Sequence, residues 1–332
     1  MLSRLDPVRN DQPLVVILGD DTDDEDHDLL FPALRARDTS VIRVHPNELN
    51  IRMASGSLQF SVAGERIQPD LVVGWVLEGL LFPGMAHLEA FQAAGVRVIN
   101  DAITLFRAQN KYVTSAILTA SKTQQYPVIT GRDPGTLANW MTDVGGSAVV
   151  KPLFGYGGRG LRRIRSPEEM EAVMRDIERE DTPYYAMPWV DNPGRDIRVY
   201  TVNHHPMFAM YRHAPEGQWI TNVRAGGEIS MCPLSDEIIN LASRASKDAG
   251  TLIGGVDIGE DQASGELVVY EVNSCPTCEP PVLDAVADFL AALARDFEAA
   301  LQTWRPELVY RELNNDPGLF HRSKQGLLRS HD

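Results

Sequence analysis

Residues 149–160 read VVKPLFGYGGRG, an apolar run followed by a lysine and then by four glycines within six positions. The apolar run indicates a buried strand, and LRRI at residues 161–164 indicates a second strand that returns from the loop. Glycines let a backbone approach a polyphosphate closely and direct N–H groups at it, and Lys151 can add positive charge there. The stretch predicts a phosphate-binding loop, although a purely structural hairpin would show the same pattern.

The glycine-rich loop does not match two familiar nucleotide-binding motifs. No Gly-Lys-Ser/Thr sequence closes it, so it is not a Walker A loop. A dinucleotide-binding fingerprint opens a helix, whereas a strand is expected after this loop. A dinucleotide-dependent oxidoreductase built on these glycines is therefore a weak alternative.

Two carboxylates later in the chain lie within apolar strand sequence. Asp257 lies in GVDI at residues 255–258, and Glu271 lies in LVVYEVN at residues 267–273. Because side chains alternate along a strand, Glu271 and Asn273 share a face, and Asp257 can lie opposite them if the two strands form a hairpin. Two carboxylates and an amide oxygen are hard ligands that suit a magnesium ion holding phosphates. Surface charge on edge strands is the alternative interpretation.

A third group of residues collects positive charge in an acidic chain. Arg198 shares a strand face with Asp196, and Arg212 and Arg224 follow it in the sequence. Arginine forks bind phosphate and carboxylate oxygens in a bidentate manner. Each arginine taken alone could equally be a solvated surface residue.

The composition of the 332-residue chain excludes several classes of partner. Its formal net charge of −15 repels nucleic-acid backbones, so we expect no nucleic acid partner. No segment reaches the roughly 20 apolar residues of a membrane span, and the N-terminus has no apolar signal core, so we predict a cytoplasmic protein without a membrane partner. Three cysteines are too few for a disulfide scaffold. The acidic run DDTDDEDHD at residues 20–28 is interpreted as a solvated loop.

The N-terminal part of the chain, residues 12–100, alternates between strand and helix patterns. This alternation predicts a parallel α/β layer. Asn100 or Asp101 can cap the next helix, which is expected to carry Lys111. The expected strands are 13–19, 71–76, 96–99, 147–151, 196–202, 206–212, 252–258 and 266–273, and the expected helices are 85–94, one beginning at 166, 235–249 and 282–301.

The order of these motifs resembles the ATP-grasp superfamily, specifically the RimK-like carboxylate–amine ligases. The series is a helix lysine, Lys-Pro before the glycine-rich loop, Asp-Ile-Arg, Thr-Asn-Val-Arg, Gly-Val-Asp and Glu-Val-Asn-Ser, and it covers about residues 100–300. The resemblance implies an α/β and α+β fold. It implies an N-terminal parallel α/β pre-ATP-grasp domain at 1–100 and ATP-grasp subdomains at 101–185 and 186–310. After Arg305 the chain turns polar and aperiodic, which predicts a mobile tail at 311–332.

The resemblance also implies roles for individual residues. ATP would be bound by Lys111, Lys151, Gly155, Gly157, Gly158, Gly160, Pro188, Trp189 and Asp196. One or two Mg²⁺ ions, or Mn²⁺, would be held by Asp257, Glu271 and Asn273, and the catalytic residues would be Arg198, Arg212, Asn222 and Arg224.

This sequence departs from the family pattern at two places. Met187-Pro188 replaces a Gln-Glu pair in the hinge, where the Pro188 carbonyl and the Trp189 N–H are expected to bind the adenine edge. Cys275-Pro276-Thr277-Cys278 replaces a Ser-Pro-Gly-type loop and is interpreted as shaping the substrate pocket.

The resemblance implies an ATP-dependent ligase that forms an amide through an acyl phosphate and releases ADP and phosphate. The amine is expected to be glutamate or a similar amino acid, and the acceptor a small-molecule, peptide or protein-tail carboxyl group such as that of tetrahydromethanopterin. The alternatives are an ATP-grasp small-molecule kinase and a nucleotide-binding module with decayed catalysis, which Met187-Pro188 would suit. We expect a homo-oligomer.

Overall fold

The computed structural model describes residues 2–155, 157–222, 226–306 and Arg311. Its first layer is a parallel sheet with the strand order β2-β1-β6-β7, which confirms the expected parallel α/β arrangement. The elements are β1 (Leu14–Gly19), α1 (Asp24–Arg35), β2 (Ser40–Val44), β3 (Asn50–Ala54), β4 (Ser57–Val62), β5 (Glu65–Ile67), β6 (Leu71–Trp75), α2 (Leu81–Ala93) and β7 (Arg97–Ile99). Strands β3 to β5 form a separate antiparallel sheet.

The acidic run after β1 is not the solvated loop that the sequence predicted. Helix α1 begins within it, and Asp23, Asp26 and His27 are buried. Asp23 accepts a hydrogen bond from the Trp75 indole at 2.9 Å, and Asp26 accepts one from the Cys278 N–H at 2.7 Å. Acidic residues in the first turn also suit the positive end of the helix dipole. The interpretation was wrong because distant residues supply donors that cover these carboxylates.

The middle of the chain forms a four-stranded antiparallel sheet with the order β10-β9-β11-β8. The elements are α3 (Ala102–Gln109), α4 (Lys111–Ala120), β8 (Ile129–Gly131), α5 (Pro134–Asp143), β9 (Ala148–Lys151), β10 (Arg162–Ile164), α6 (Pro167–Glu180) and β11 (Tyr184–Pro188). The β9–β10 pair confirms that a strand returns from the glycine-rich loop. Asp101 caps α3, but Lys111 opens a separate helix because Asn110 ends α3 and caps α4.

The last part of the chain forms a five-stranded antiparallel sheet with the order β14-β13-β12-β15-β16. The elements are β12 (Arg195–Val202), β13 (His205–His213), β14 (Glu228–Met231), α7 (Asp236–Ala249), β15 (Ile253–Glu260), β16 (Leu267–Asn273), α8 (Pro280–Arg295) and α9 (Phe297–Thr303). The expected single helix at 282–301 is two helices, because Asp296 ends α8 and caps α9. The mixed α/β and α+β fold class is confirmed.

Helix α8 joins the first and last parts of the molecule. Its Val286 and Phe289 share one hydrophobic core with Ile17 and Phe31 of the parallel layer and with Phe208 of β13. The domain bounds expected from the sequence stay a prediction, and the expected tail at 311–332 lies outside the described residues apart from Arg311. Among the helices that the structure describes, none is both long and apolar enough to cross a membrane.

Candidate functional site

The hairpin of β15 and β16 brings the predicted metal ligands together. Asp257 is paired directly with Glu271 across the two strands, and Asn273 is paired with Gly255. Glu271 and Asn273 are two residues apart, so their side chains project from one face. The geometry that the sequence predicted for these three residues is therefore present in the fold.

Asp257 is buried and is bound by two arginines. Arg198 donates to both of its carboxylate oxygens, at 2.5 and 3.2 Å, and Arg212 Nη2 lies 3.0 Å from Oδ2. Burial alone would raise the pKa of Asp257, but the two guanidinium groups outweigh it and lower that pKa. Asp257 is thus an anion at neutral pH.

Arg212 is also held by a second carboxylate. It donates to Asp196 Oδ1 at 2.8 Å and to Oδ2 at 2.6 Å, and Thr221 donates to the same Oδ2 at 2.8 Å. Although burial acts in the opposite direction, the two aspartates raise the pKa of Arg212 well above its usual value. The oxygens of Asp196 thus hold Arg212 in place, and the nucleotide contact that the sequence predicted for Asp196 stays a prediction.

Two lysines face this carboxylate cluster from the glycine-rich side. Lys111 Nζ donates to the Gly155 carbonyl at 2.8 Å and lies 3.4 Å from Glu271 Oε2. Lys151 Nζ lies 5.3 Å from the centre of the Tyr270 ring. Burial lowers the pKa of Lys151, and the negative charge of Glu271 offsets this effect only in part. An anionic ligand beside Lys151 would supply more negative charge and would therefore bind favourably there.

The glycine-rich loop packs on Asn222. Gly158 has a φ of +77°, and a Cβ built there would lie 2.7 Å from Asn222 Oδ1, so only glycine fits this close approach. Gly155, Gly157 and Gly160 also have positive φ values.

The hinge strand β11 corrects one predicted contact. The Trp189 N–H donates to the Ser147 carbonyl at 2.9 Å, which continues the β9–β11 pairing by one residue beyond each strand. It is therefore not free to bind adenine, contrary to the sequence-based prediction. Backbone N–H and C=O groups point alternately to the two sides of a strand, so those of the neighbouring Pro188 point away from β9. The N–H group that proline lacks therefore removes no hydrogen bond between β9 and β11. Val190, the residue after Trp189, also lines the cavity.

The predicted residues converge on one cleft with two ends. The end beside the glycine-rich loop is lined by Lys111, Lys151, Gly155, Gly157, Gly158, Pro188, Trp189, Asp196, Arg212, Asn222, Asp257 and Glu271. The opposite end includes Arg198 and Asn273 and extends to residues 21–26 and to residues 274–277 and Glu279. Gly160 lies on the loop but outside both linings. Arg224 lies outside the described residues.

The donor set of the cleft fits a hard divalent cation. The described ranges contain no cluster of three or more His, Cys, Asp or Glu side chains of the metal-binding kind. Asp257, Glu271 and Asn273 instead supply two carboxylates and one amide, and magnesium usually takes only one or two protein carboxylates together with phosphates and water. Such a site needs only a few protein ligands, because phosphate oxygens and water complete the coordination of the ion.

Asn100 is a supporting residue for which the sequence suggested only a possible helix cap. It is buried, and its Nδ2 donates to the carbonyls of Ile253 and Ser274 at 2.7 Å each, while its Oδ1 accepts from the Leu252 N–H at 3.0 Å. It therefore fixes the start of β15 and the residue that follows Asn273. Its φ of +38° is uncommon outside glycine, but no sequence pattern shows its long-range partners.

Comparisons with known proteins agree with this geometry. Solved structures share the fold: the ATP-grasp ligase PsnB complexed with minimal precursor has a TM-score of 0.64 at 20% identity, covering 85% of this chain and 99% of that one. D-alanyl-alanine synthetase A from Vibrio cholerae has a TM-score of 0.64 at 14% identity, covering 88% and 98%. The fold is thus that of the ATP-grasp proteins. A model of the RimK-like ATP-grasp domain matches residues 108–289, and the chain belongs to this family.

Two of the curated relatives are named as glutamate ligases. The chain is 29% identical over 223 residues to tetrahydromethanopterin:alpha-L-glutamate ligase of Methanosarcina acetivorans, which covers 57% of this chain and 66% of that protein. It is 30% identical over 257 residues to probable alpha-L-glutamate ligase 1 of Shewanella denitrificans, covering 75% and 85%. The match spans slightly less than two thirds of the length of the methanogen relatives.

Proposed function

We propose that the protein is an ATP-dependent carboxylate–amine ligase that forms an amide through an acyl phosphate, with glutamate or a similar amino acid as the amine. One observation carries the proposal: Asp257 and Glu271 are paired across two strands in a cleft that also collects Lys111, Lys151 and the glycine-rich loop. Membership of the RimK-like family and the names of the relatives support the same reaction class.

The nucleotide would lie between the hinge and the carboxylate pair. Asp257, Glu271 and Asn273 would hold one or two Mg²⁺ ions, or Mn²⁺, because a carboxylate oxygen that accepts from an arginine keeps a lone pair for another ligand. A bound divalent ion supplies positive charge that neutralises the phosphate oxygens. The Pro188 carbonyl and the Val190 N–H are the backbone groups proposed for the adenine edge.

The residues of the chain have separate tasks in the two steps. Lys111, Lys151 and the N–H groups of the glycine-rich loop would bind the triphosphate and orient its γ-phosphorus toward the acceptor carboxylate. That carboxylate attacks phosphorus, ADP leaves and an acyl phosphate forms. The amine then attacks the acyl carbon and phosphate leaves. Arg198 and Arg212 line the acceptor end of the cleft, where they would stabilise the negative oxygen of the tetrahedral intermediate.

The test is an assay of the purified chain with ATP, MgCl₂ and L-glutamate. The acceptor panel would be tetrahydromethanopterin, a peptide ending in glutamate and free glutamate, with ADP release and product mass as readouts. We expect ADP release that depends on both acceptor and amine, and an amide product. A stable phosphorylated product without an amide would indicate the kinase alternative, and AMP formation would contradict the acyl-phosphate route. The homo-oligomer expected from the resemblance stays a prediction.

A further inference from the structure

The acceptor end of the cleft contains a buried carboxylate that the steps above do not use. Asp26 lies in the first turn of α1, is 5% exposed and lines the cavity together with Arg198 and Asn222. Its Oδ2 accepts from the Cys278 N–H at 2.7 Å, which fixes the carboxylate in place. No residue in the described part of the chain donates to its Oδ1.

The groups around Asp26 are acidic rather than basic. Asp23, which precedes α1, and Glu25 in the first turn of α1 face it, and Cys278 and Glu279 face it from the loop after β16. Burial raises the pKa of Asp26 to about 8, with the neighbouring carboxylates adding to the rise and the Cys278 N–H opposing it. Asp26 therefore exchanges a proton near neutral pH, unlike Asp257.

The proposed ligase reaction requires a proton acceptor at this end of the cleft. An amino acid arrives with its α-amino group largely protonated at neutral pH, and an ammonium nitrogen has no lone pair with which to attack an acyl carbon. A general base works best when its pKa lies near the operating pH. Asp257 is bound by two arginines and Glu271 lies against Lys111, so neither suits this task.

We propose that Asp26 is a catalytic residue: the general base that accepts a proton from the ammonium group of the amine substrate. This inference rests on the proposed ligase function. An N–H bond of the ammonium breaks, its electron pair stays on nitrogen, and the proton moves to Asp26 Oδ1. The nitrogen then bonds to the acyl carbon, the carbon–oxygen bond to phosphate breaks, and the phosphate leaves with that electron pair and a second proton from nitrogen. The third hydrogen remains on the amide.

Asp26→Asn is the informative variant because its side-chain oxygen can still accept from the Cys278 N–H. The matched control is Asp28→Asn, which removes one charge from an exposed residue of the same helix that lies outside the cavity lining. Each protein would be assayed with ATP, MgCl₂ and the acceptor panel, using either L-glutamate or hydroxylamine as the amine. Hydroxylamine is largely unprotonated at neutral pH and traps an acyl phosphate as a hydroxamate without a base.

We expect Asp26→Asn to slow amide formation with glutamate by about 100-fold or more at pH 7, while hydroxamate formation stays within about threefold of the unmodified protein. Above about pH 8, where Asp26 is already ionised, the deficit with glutamate should shrink about tenfold per pH unit toward the pKa of the amine, because free amine then replaces the missing base. Asp28→Asn should change both rates less than about twofold.

Three outcomes would overturn the inference. Equal losses with glutamate and hydroxylamine would make Asp26 a structural residue. Full activity of Asp26→Asn with glutamate would show that no base is needed there. If the unmodified protein formed no hydroxamate with any acceptor of the panel, the ligase function itself would be rejected, and the role of Asp26 with it.

Discussion

Two acidic regions of this molecule face the same cleft, and they are built in opposite ways. Asp257 and Glu271 lie on paired strands against Arg198, Arg212 and Lys111. The carboxylates at residues 23–26 include Asp23 and Asp26, which accept hydrogen bonds from the neutral Trp75 indole and the Cys278 N–H. The pKa of Asp257 is lowered as arginine charge outweighs burial, and that of Asp26 is raised to about 8, chiefly by burial.

The contrast shows that the charge of the surrounding groups sets what a buried carboxylate can do. A carboxylate held by arginines is a permanent anion, which suits a site for a cation. Asp26, held by a neutral donor among other acids, gains and loses a proton near pH 8, which suits proton transfer. One cleft can thus supply metal ligands at one end and a base at the other.

The largest expected effect comes from removing the cation on which the first region depends. Arg212→Met leaves Asp196 and Asp257 buried with a charge partner missing, and we expect a loss of about 3–5 kcal/mol in unfolding free energy. Urea denaturation measures it. Arg195→Met on the neighbouring strand β12 is the control, since its pair with Glu260 is partly exposed and should be worth about 1 kcal/mol or less. Similar losses in the two variants would contradict the account.

The next effect concerns activity. Glu271→Gln keeps the shape of a proposed metal ligand but removes its charge, and we expect ADP release to fall by more than about 100-fold, since even indirect partners of a metal are worth 10–100-fold. The dependence of the rate on magnesium concentration should shift as well. Glu266→Gln, at an exposed residue just before the same strand, is the control. Unchanged turnover in Glu271→Gln would favour a decayed module or a different metal site.

A smaller effect is expected at Asn100, which holds the start of β15 and Ser274 after β16. Asn100→Gly removes the side-chain hydrogen bonds to Ile253, Ser274 and Leu252 while accommodating the positive φ, and should cost about 1–3 kcal/mol because buried backbone groups lose their partners. Chemical denaturation measures the cost. If Asn100→Gly were as stable as the unmodified protein, the hydrogen bonds would not hold the loop.

The smallest effect is a change in how stability depends on pH. Asp26 keeps its proton in the folded state up to about pH 8, whereas an unfolded aspartate, with its pKa near 3.8, has already lost it. The folded state therefore binds more protons between these values, and this group makes stability fall as the pH rises. Asp26→Asn should melt at least about 2–4 °C higher than the unmodified protein at pH 9, and should lose that advantage at pH 4. If the melting temperatures of the two proteins differed by the same amount at every pH, the raised pKa of Asp26 would be contradicted.

Local sequence patterns predicted the parts of the site that lie within single elements or hairpins. Alternation in β15 and β16 placed Asp257, Glu271 and Asn273, and the glycines predicted the loop before β10. The burial of Asp26 was not predictable, because its donor, Cys278, is 252 residues away in sequence. The hydrogen bond that occupies the Trp189 N–H likewise depends on the register of β9 against β11, which periodicity within one strand does not fix.

The most direct test of the central claim is a crystal structure with a non-hydrolysable ATP analogue and Mn²⁺, in which anomalous scattering locates the ion. We expect a peak at roughly 2.0–2.3 Å from carboxylate oxygens of Asp257 and Glu271 and from phosphate oxygens of the nucleotide. A peak elsewhere in the cleft, with Asp257 bound only by Arg198 and Arg212, would contradict the account.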